Sequence, residues 1–455
     1  MNERLTTINH DDKSLKIPVN INIVENTEID MYDRLRHSVM IIADKSRLDP
    51  IHNQNELLEV IKNVVNQEIS NNAIAGISSI IDFETTTNRL SNSIFGYGPL
   101  HSLLARNDIE EIFIEGERVS YIDSSGFLRG LNEPTTASEN RHIIERLLSD
   151  TDRTLTVKAP LTQARVLNGT ARLTASIPPV SDKLSATLRK YIVKNISLHD
   201  LTKRNALSEE SAGFLHALMQ TRSRIVISGE PGAGKTTLLS SMLSSAPPQH
   251  CIRCCEEIRE IAVNFTHGGY YEVRPQGIDG TGEISLRDLV KFSLAMRPDR
   301  IVCGEVRGAE AFELSRAVNS GCGFACTVHS NNAVEGLEAL VNASLMAGEN
   351  VSENIMRKIF SSAIDVVVHV DREENASISD GLMRGVTEII AVESSISDSF
   401  TTTTLFSRKT LQEQLKFSGT IPDRLISRIE KSLPSEVTLN KICTGEIKYL
   451  QSRYS

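Results

Sequence analysis

Residues 229–237, Gly-Glu-Pro-Gly-Ala-Gly-Lys-Thr-Thr, place glycines, a lysine and two hydroxyls in the order that holding a phosphate chain requires. Glycine lets successive backbone N–H groups turn inward around an anion, and a helix starting at the lysine adds its positive end. Lys235 can reach the β- and γ-phosphates, and the Thr236 hydroxyl can complete an octahedral Mg²⁺ shell. Gly229, Glu230, Pro231, Gly232, Ala233, Gly234, Lys235, Thr236 and Thr237 are therefore the expected nucleotide-binding residues, with ATP and Mg²⁺ as the ligands.

Binding alone does not give turnover, which needs a group to orient water, a metal-side acid and positive charge on the γ-phosphate. Each has a candidate at the end of an apolar run. Glu256, in Cys255-Glu-Glu-Ile-Arg-Glu260, is the expected water-polarising base. Glu305 ends Arg300-Ile-Val-Cys-Gly-Glu and is placed to face Mg²⁺ or its waters. His329, in Thr327-Val-His-Ser-Asn331, is placed to sense the γ-phosphate. Each residue alone could equally be an acidic turn or a structural histidine. Their shared position at strand ends, where a parallel sheet gathers ligands, makes them reinforce one another.

Those strands and their helices alternate through the second half of the chain. Strands are expected at 224–228, 251–255, 270–274, 301–303, 324–328, 364–370 and 387–392. Helices are expected after the phosphate loop and at 285–296, 309–319, 333–347 and 352–363. This alternation predicts an α/β fold, a mostly parallel sheet between helical layers. Upstream, apolar residues at helical spacing over 27–43, 57–65 and 77–94 predict a helical region. Short β-like runs at 111–114, 118–122 and 172–177, with a helix at 137–148, predict a smaller α/β domain. The expected boundaries are a leader and helical region at 1–94, an N-terminal α/β domain at 95–195 and a linker at 196–206. A nucleotide-binding domain follows at 207–410, then a tail at 411–455 whose role the sequence does not show.

The 455 residues suffice for two or three domains with real cores, and their 40% hydrophobic content is that of an ordinary globular protein. A net charge of −9 argues against sequence-independent nucleic-acid binding, so no direct nucleic-acid partner is expected. The polar start is no signal peptide, and no run of about 18 apolar residues suggests a span, so a cytoplasmic location is expected. The seven cysteines include one C-x2-C among Cys251, Cys254 and Cys255 but no second pair at zinc spacing, as for buried thiols in a reducing compartment.

Taken in order, the phosphate loop, Glu256-Glu257-x2-Glu260, Met296-Arg-Pro-Asp-Arg-Ile-Val-Cys-Gly-Glu-Val-Arg-Gly308 and Thr327–Asn331 resemble the four boxes of the secretion ATPases. These are the Walker A, Asp, Walker B and His boxes of type II and type IV secretion, pilus and archaeal flagellar motors. Gly96-Tyr-Gly-Pro-Leu100, Arg165-x2-Asn-Gly, Ile177-Pro-Pro, Leu188-Arg-Lys190, Val273-Arg-Pro275 and Arg287-Asp-Leu-Val290 are similar to the tight-adherence (Tad) pilus branch. The likeness covers about residues 80–410 and implies a RecA-like P-loop domain behind a smaller N-domain. It also implies a homo-hexamer with the nucleotide between the two domains, and inner-membrane platform proteins as partners. Arg165, Arg172 and Arg189 match N-domain arginines that would neutralise phosphate charge; Arg274 and Arg307 match such arginines of the motor domain. Glu257 stands where the family usually has Asp, and the tetracysteine zinc insert of many type II secretion ATPases is missing. A conjugative or effector-secretion motor, a P-loop kinase and a non-hydrolysing scaffold stay open as alternatives.

Overall fold

In the computed structural model the chain forms two units, residues 1–124 with 128–190, and residues 125–127 with 191–455. The structure describes residues 23–49, 52–74, 82–191, 196–261, 263–274, 276, 281–348, 350–374, 382–394 and 399–449.

The first unit opens with α1 (Ile23–Lys45), α2 (Gln54–Ile74) and α3 (Phe83–Phe95). Leu35 and Val39, Ile61 and Val65, and Leu90 and Ile94 recur at helical spacing and meet in one apolar cluster. The helix expected from residue 77 begins at Phe83, capped by the Asp82 carboxylate accepting from the Thr85 N–H. Residues 77–81 lie outside the described residues. Next come α4 (Leu100–Ala105), β1 (Ile109–Glu115), β2 (Arg118–Asp123), β3 (Leu128–Gly130), α5 (Ala137–Leu148), β4 (Leu161–Val166), β5 (Ala171–Ser176) and β6 (Ser185–Lys190).

These strands form an antiparallel sheet in the order β3-β2-β1-β6-β5-β4. β4 and β6 were not among the expected strands. Their inward positions include Thr162, Ala164 and Ala186, too small or too polar to give an apolar alternation. A buried hydrogen bond of 2.8 Å from the Tyr32 hydroxyl to Glu139 ties α1 to α5, and the Arg89 guanidinium lies 3.9 Å from the Tyr32 ring centre.

The second unit contains α6 (Leu198–Lys203), α7 (Glu209–Met219), β7 (Ile225–Gly229), α8 (Lys235–Leu243), β8 (Cys251–Glu256) and β9 (His267–Glu272). It continues with α9 (Leu286–Leu294), β10 (Arg300–Cys303), α10 (Glu310–Asn319), β11 (Gly323–His329), α11 (Ala333–Leu345) and α12 (Glu353–Ala363). β12 (Val366–Glu374), β13 (Leu382–Glu393), β14 (Thr401–Ser407), β15 (Lys416–Phe417), α13 (Asp423–Ile429) and α14 (Leu439–Cys443) complete it.

The nine strands run in the order β15-β14-β13-β12-β7-β11-β10-β8-β9. Pairing is parallel from β12 through to β9 and antiparallel from β12 to β15. Ile225, Ile227 and Val302 enter one apolar layer while Val226, Ile301 and Cys303 enter the other, so the central strands are buried on both faces.

The segment after residue 410 belongs to this core. Leu425, Ile429, Leu439 and Ile442 are buried with α7 and β7, and a Cβ on Gly213 of α7 would lie 3.1 Å from Ile442. Much of the expected linker is α6, whose Leu198 and Leu201 also enter the core. Arg408 fastens it there. Its guanidinium donates to the carbonyls of Val386 (2.6 Å), Asn205 (2.9 Å), Ala206 (3.1 Å) and Leu411 (3.2 Å). Gly385 leaves room for it, since a Cβ there would collide with the guanidinium. Without this cation several carbonyls lose a charged donor. Arg408→Leu is expected to lower the unfolding free energy by about 3 kcal/mol. Urea titration of the full chain measures this, and an unchanged midpoint would contradict the clamp.

Candidate active site

The phosphate loop joins β7 to α8, and its glycines are sterically required. Gly229 has φ +149°, and a Cβ on it would collide with the Val370 carbonyl of β12. Gly234, at φ +97°, is left-handed and starts α8. Lys235 is buried, and its Nζ donates to the carbonyls of Gly229 (2.9 Å) and Glu230 (2.8 Å). The same Nζ lies 3.0 Å from Nδ1 of His329.

From His329 a charged chain continues. His329 Nε2 is 2.5 Å from Oε1 of Glu305, and Arg307 grips both oxygens of that carboxylate, at 2.6 and 2.9 Å. Arg307 also reaches Glu257 at 3.4 Å. With Nδ1 accepting from lysine and Nε2 donating to Glu305, the histidine is the neutral Nε2–H tautomer. Burial holds the imidazole below its ordinary pKa, helped by Lys235 and opposed by Glu305. For Glu305, burial acts to raise the carboxyl, but the Arg307 hydrogen bonds, His329 and Lys235 outweigh it, so the carboxyl sits below its usual range. Glu305 is thus an ionised carboxylate near neutral pH, and with the Thr236 hydroxyl it offers donors suited to Mg²⁺ that shares its shell with phosphates and water.

Glu256 is in a different setting. It is buried, and one oxygen accepts from the N–H groups of Glu260 (3.0 Å) and Ile261 (3.1 Å). A Cβ on Gly304 would lie 2.8 Å from Glu256 Cγ, so the Gly-Glu pair leaves room for this side chain. Burial pushes Glu256 up to about 8, opposed by the two backbone hydrogen bonds. Near neutral pH it is mainly the protonated acid, holding the 257–261 turn from inside.

Arg274, like Arg307 a candidate on the motor side, is exposed. Its Nε donates to the Gly282 carbonyl at 2.5 Å, and Arg274 and Ile284 pair across a backbone bridge. In the first unit, Arg165, Arg172 and Arg189 are in direct register across β4, β5 and β6, and Glu111 of β1 follows in the same row. Arg165 donates to the Gly169 carbonyl at 3.1 Å, and Arg189 lies 3.9 Å from Glu111. Like charges directly opposite are destabilising, and Glu111 supplies an opposite charge at the Arg189 end of the row. Cys255, Cys303 and Cys326 also share a register across β8, β10 and β11, and burial raises all three thiols, leaving them unreactive packing groups.

Two features beside the loop had no sequence signal. Ser228 and His369 form a buried 2.9 Å hydrogen bond, and Arg372 of β12 lies alongside the loop with its Nε 3.7 Å from Glu230. Both depend on pairing between strands about 140 residues apart.

Residues 126–402 match the family described as type II/IV secretion system protein. A Mycobacterium tuberculosis protein assigned by name to conjugal transfer is 31% identical over 292 residues, 62% of this chain and 82% of the relative. The type IV secretion system protein PtlH homolog of Bordetella bronchiseptica is 27% identical over 320 residues, 64% of this chain and 93% of the relative. Among solved structures, the ATPase DotB of Yersinia pseudotuberculosis is similar at 19% identity and TM-score 0.48, over 64% of this chain and 77% of that one.

The two glutamates separate by substitution. Glu305→Gln is expected to keep ATP binding and lose hydrolysis by about 10²-fold or more. Glu256→Gln, whose amide oxygen can still accept from the 257–261 turn, should lose less. The reverse ranking in a phosphate-release assay would support the base role that the sequence leads one to expect of Glu256. Because the folded pKa of Glu256 lies above its unfolded value, its proton stabilises the fold fully at low pH, and this is lost as pH rises through about 8. Thermal melts between pH 5 and 9 should therefore fall less steeply for Glu256→Gln than for the unsubstituted chain.

Proposed function

The chain belongs to the type II/IV secretion system protein family and is an ATPase of that family, and on this premise we propose that it hydrolyses Mg²⁺-ATP to drive a membrane-bound pilus or secretion machine. The observation that carries this reading is the continuous chain from Lys235 through His329 and Glu305 to Arg307 at the ends of β7, β11 and β10. A kinase site would need an acceptor pocket, whereas this arrangement offers an ionised carboxylate for water.

Lys235 leaves the carbonyls of Gly229 and Glu230 and turns to the β- and γ-phosphates, while the N–H groups at the start of α8 hold the phosphate chain. His329 then loses its lysine donor, and its Nδ1, a bare acceptor in this tautomer, must take up a proton before it can donate to a phosphate oxygen. Glu305, kept ionised by Arg307 and His329, orients the attacking water and takes up its proton. Mg²⁺, held through Thr236 and the Glu305 side, would neutralise charge developing on the phosphate oxygens. Glu256 acts beneath this set, fixing the turn that carries Glu257.

Six copies of the chain form the working assembly, which acts at the cytoplasmic face of the inner membrane on platform proteins rather than on nucleic acid. Among the described residues no helix is long and apolar enough to cross a membrane. The Tad-like motifs favour a pilus motor. The relatives assigned by name to conjugal transfer and type IV secretion favour a transfer motor as the second reading. Neighbouring genes separate the two: pilin and prepilin peptidase for the first, conjugation or effector components for the second.

Lys235→Ala is expected to abolish ATP turnover by the purified chain, measured as phosphate release without any added acceptor. Near-normal release, or a strict need for an acceptor, would refute the hydrolase assignment. Light scattering with nucleotide should read six copies.

A further inference from the structure

β12 pairs in parallel with β7, setting His369 beside Ser228 and Val370 beside Gly229, and then runs on past the last residue of β7. Arg372 lies on this extension, next to the phosphate loop. A Cβ on Gly232, at the loop apex, would sit 3.4 Å from Arg372 Nη1, and Arg372 Nε is 3.7 Å from the Glu230 carboxylate. On the other side of β7, β11 brings His329 beside Gly229. The loop is therefore flanked by the hydrolytic groups on one side and by a guanidinium on the other.

A nucleotide whose γ-phosphate faces His329 and Glu305 extends its other end away from them, toward the β12 side. We propose that Arg372 is a nucleotide-binding residue for that end, meeting the α-phosphate and the base-bearing ribose, with Glu230 as its competing partner. This rests on the phosphate-loop reading above. A guanidinium suits both groups, forking onto phosphate oxygens and stacking on a purine face. Glu230 competes with the nucleotide for this cation, because its carboxylate and the phosphate oxygens are alternative partners of one guanidinium. The Arg372 and Glu230 side chains are 40% and 49% exposed, and an ion pair so solvated is weak, so the guanidinium can leave it for the nucleotide.

The test is equilibrium binding of Mg²⁺-ATP and Mg²⁺-ADP to the full chain, with KM measured in parallel. Arg372→Ala should weaken both nucleotides by about tenfold, because both share the α-phosphate end, and KM should rise with them. Glu230→Gln should tighten binding severalfold in the unsubstituted chain but not in the Arg372→Ala background, a coupling that a merely structural role would not give. Unchanged affinity in Arg372→Ala, or tightening by Glu230→Gln that survives without Arg372, overturns the assignment. If the unsubstituted chain binds ATP and Lys235→Ala does not, these failures sink the Arg372 role alone. If the unsubstituted chain binds no ATP, both readings fall.

Discussion

The close approach of Gly229 to the Val370 carbonyl is the constraint on which the motor unit's site depends. β7 lies between β12 and β11, and its last residue must be a glycine because no side chain fits against β12. That contact fixes where the chain leaves the sheet, and so where Lys235 and the start of α8 lie. Because pairing is parallel on both sides of β7, the neighbouring strands end at the same edge and deliver His329 and Arg372 to either side of the loop. The buried hydrogen bond between Ser228 and His369 ties β7 to β12 just below it. Sheet order, more than any single side chain, assembles the site.

Within this frame two glutamates of the same type acquire opposite character. Glu305 is half-buried among Arg307, His329 and Lys235, and three positive or donating neighbours keep it ionised. Glu256 is more deeply buried and has backbone N–H groups as its hydrogen-bond partners, and burial keeps its proton on. A group that must accept a proton from water has to be ionised beforehand; a group that only holds a turn need not be. Their opposite protonation, and the division of labour proposed from it, therefore follow from environment.

The same distinction shows what was legible in the sequence. The phosphate loop was, because glycine, lysine and threonine are demanded at fixed spacing within one continuous segment. The alternating α/β pattern was, because long apolar runs bounded by glycine and proline leave little choice of element. Spacing alone makes Glu256 the expected base and Glu305 the expected metal-side acid; both follow an apolar strand, and only the fold supplies the neighbours that set their protonation. Arg372 was invisible for a related reason: its distance from Gly232 is set by a strand register between residues far apart in the chain. β4 and β6 were missed because alanine and threonine fill their inward positions. The terminal segment carried no sign of the surface of α7 and β7 that its Leu425, Ile429 and Ile442 cover.

The chain of contacts from Lys235 does not stop at the reacting groups. Lys235 touches His329, His329 touches Glu305, Glu305 touches Arg307, and Arg307 touches Glu257, which belongs to the turn that Glu256 secures. Each link is an ion pair or a hydrogen bond whose partner has another charged neighbour to choose. The 257–261 turn is also held by one Glu256 oxygen accepting two N–H groups, by Arg259 stacked on Tyr270 and by buried Ile261. The strands beneath it are fixed by both apolar layers. The proposed reacting groups and the 257–261 turn are thus joined by one run of side-chain contacts at the sheet edge.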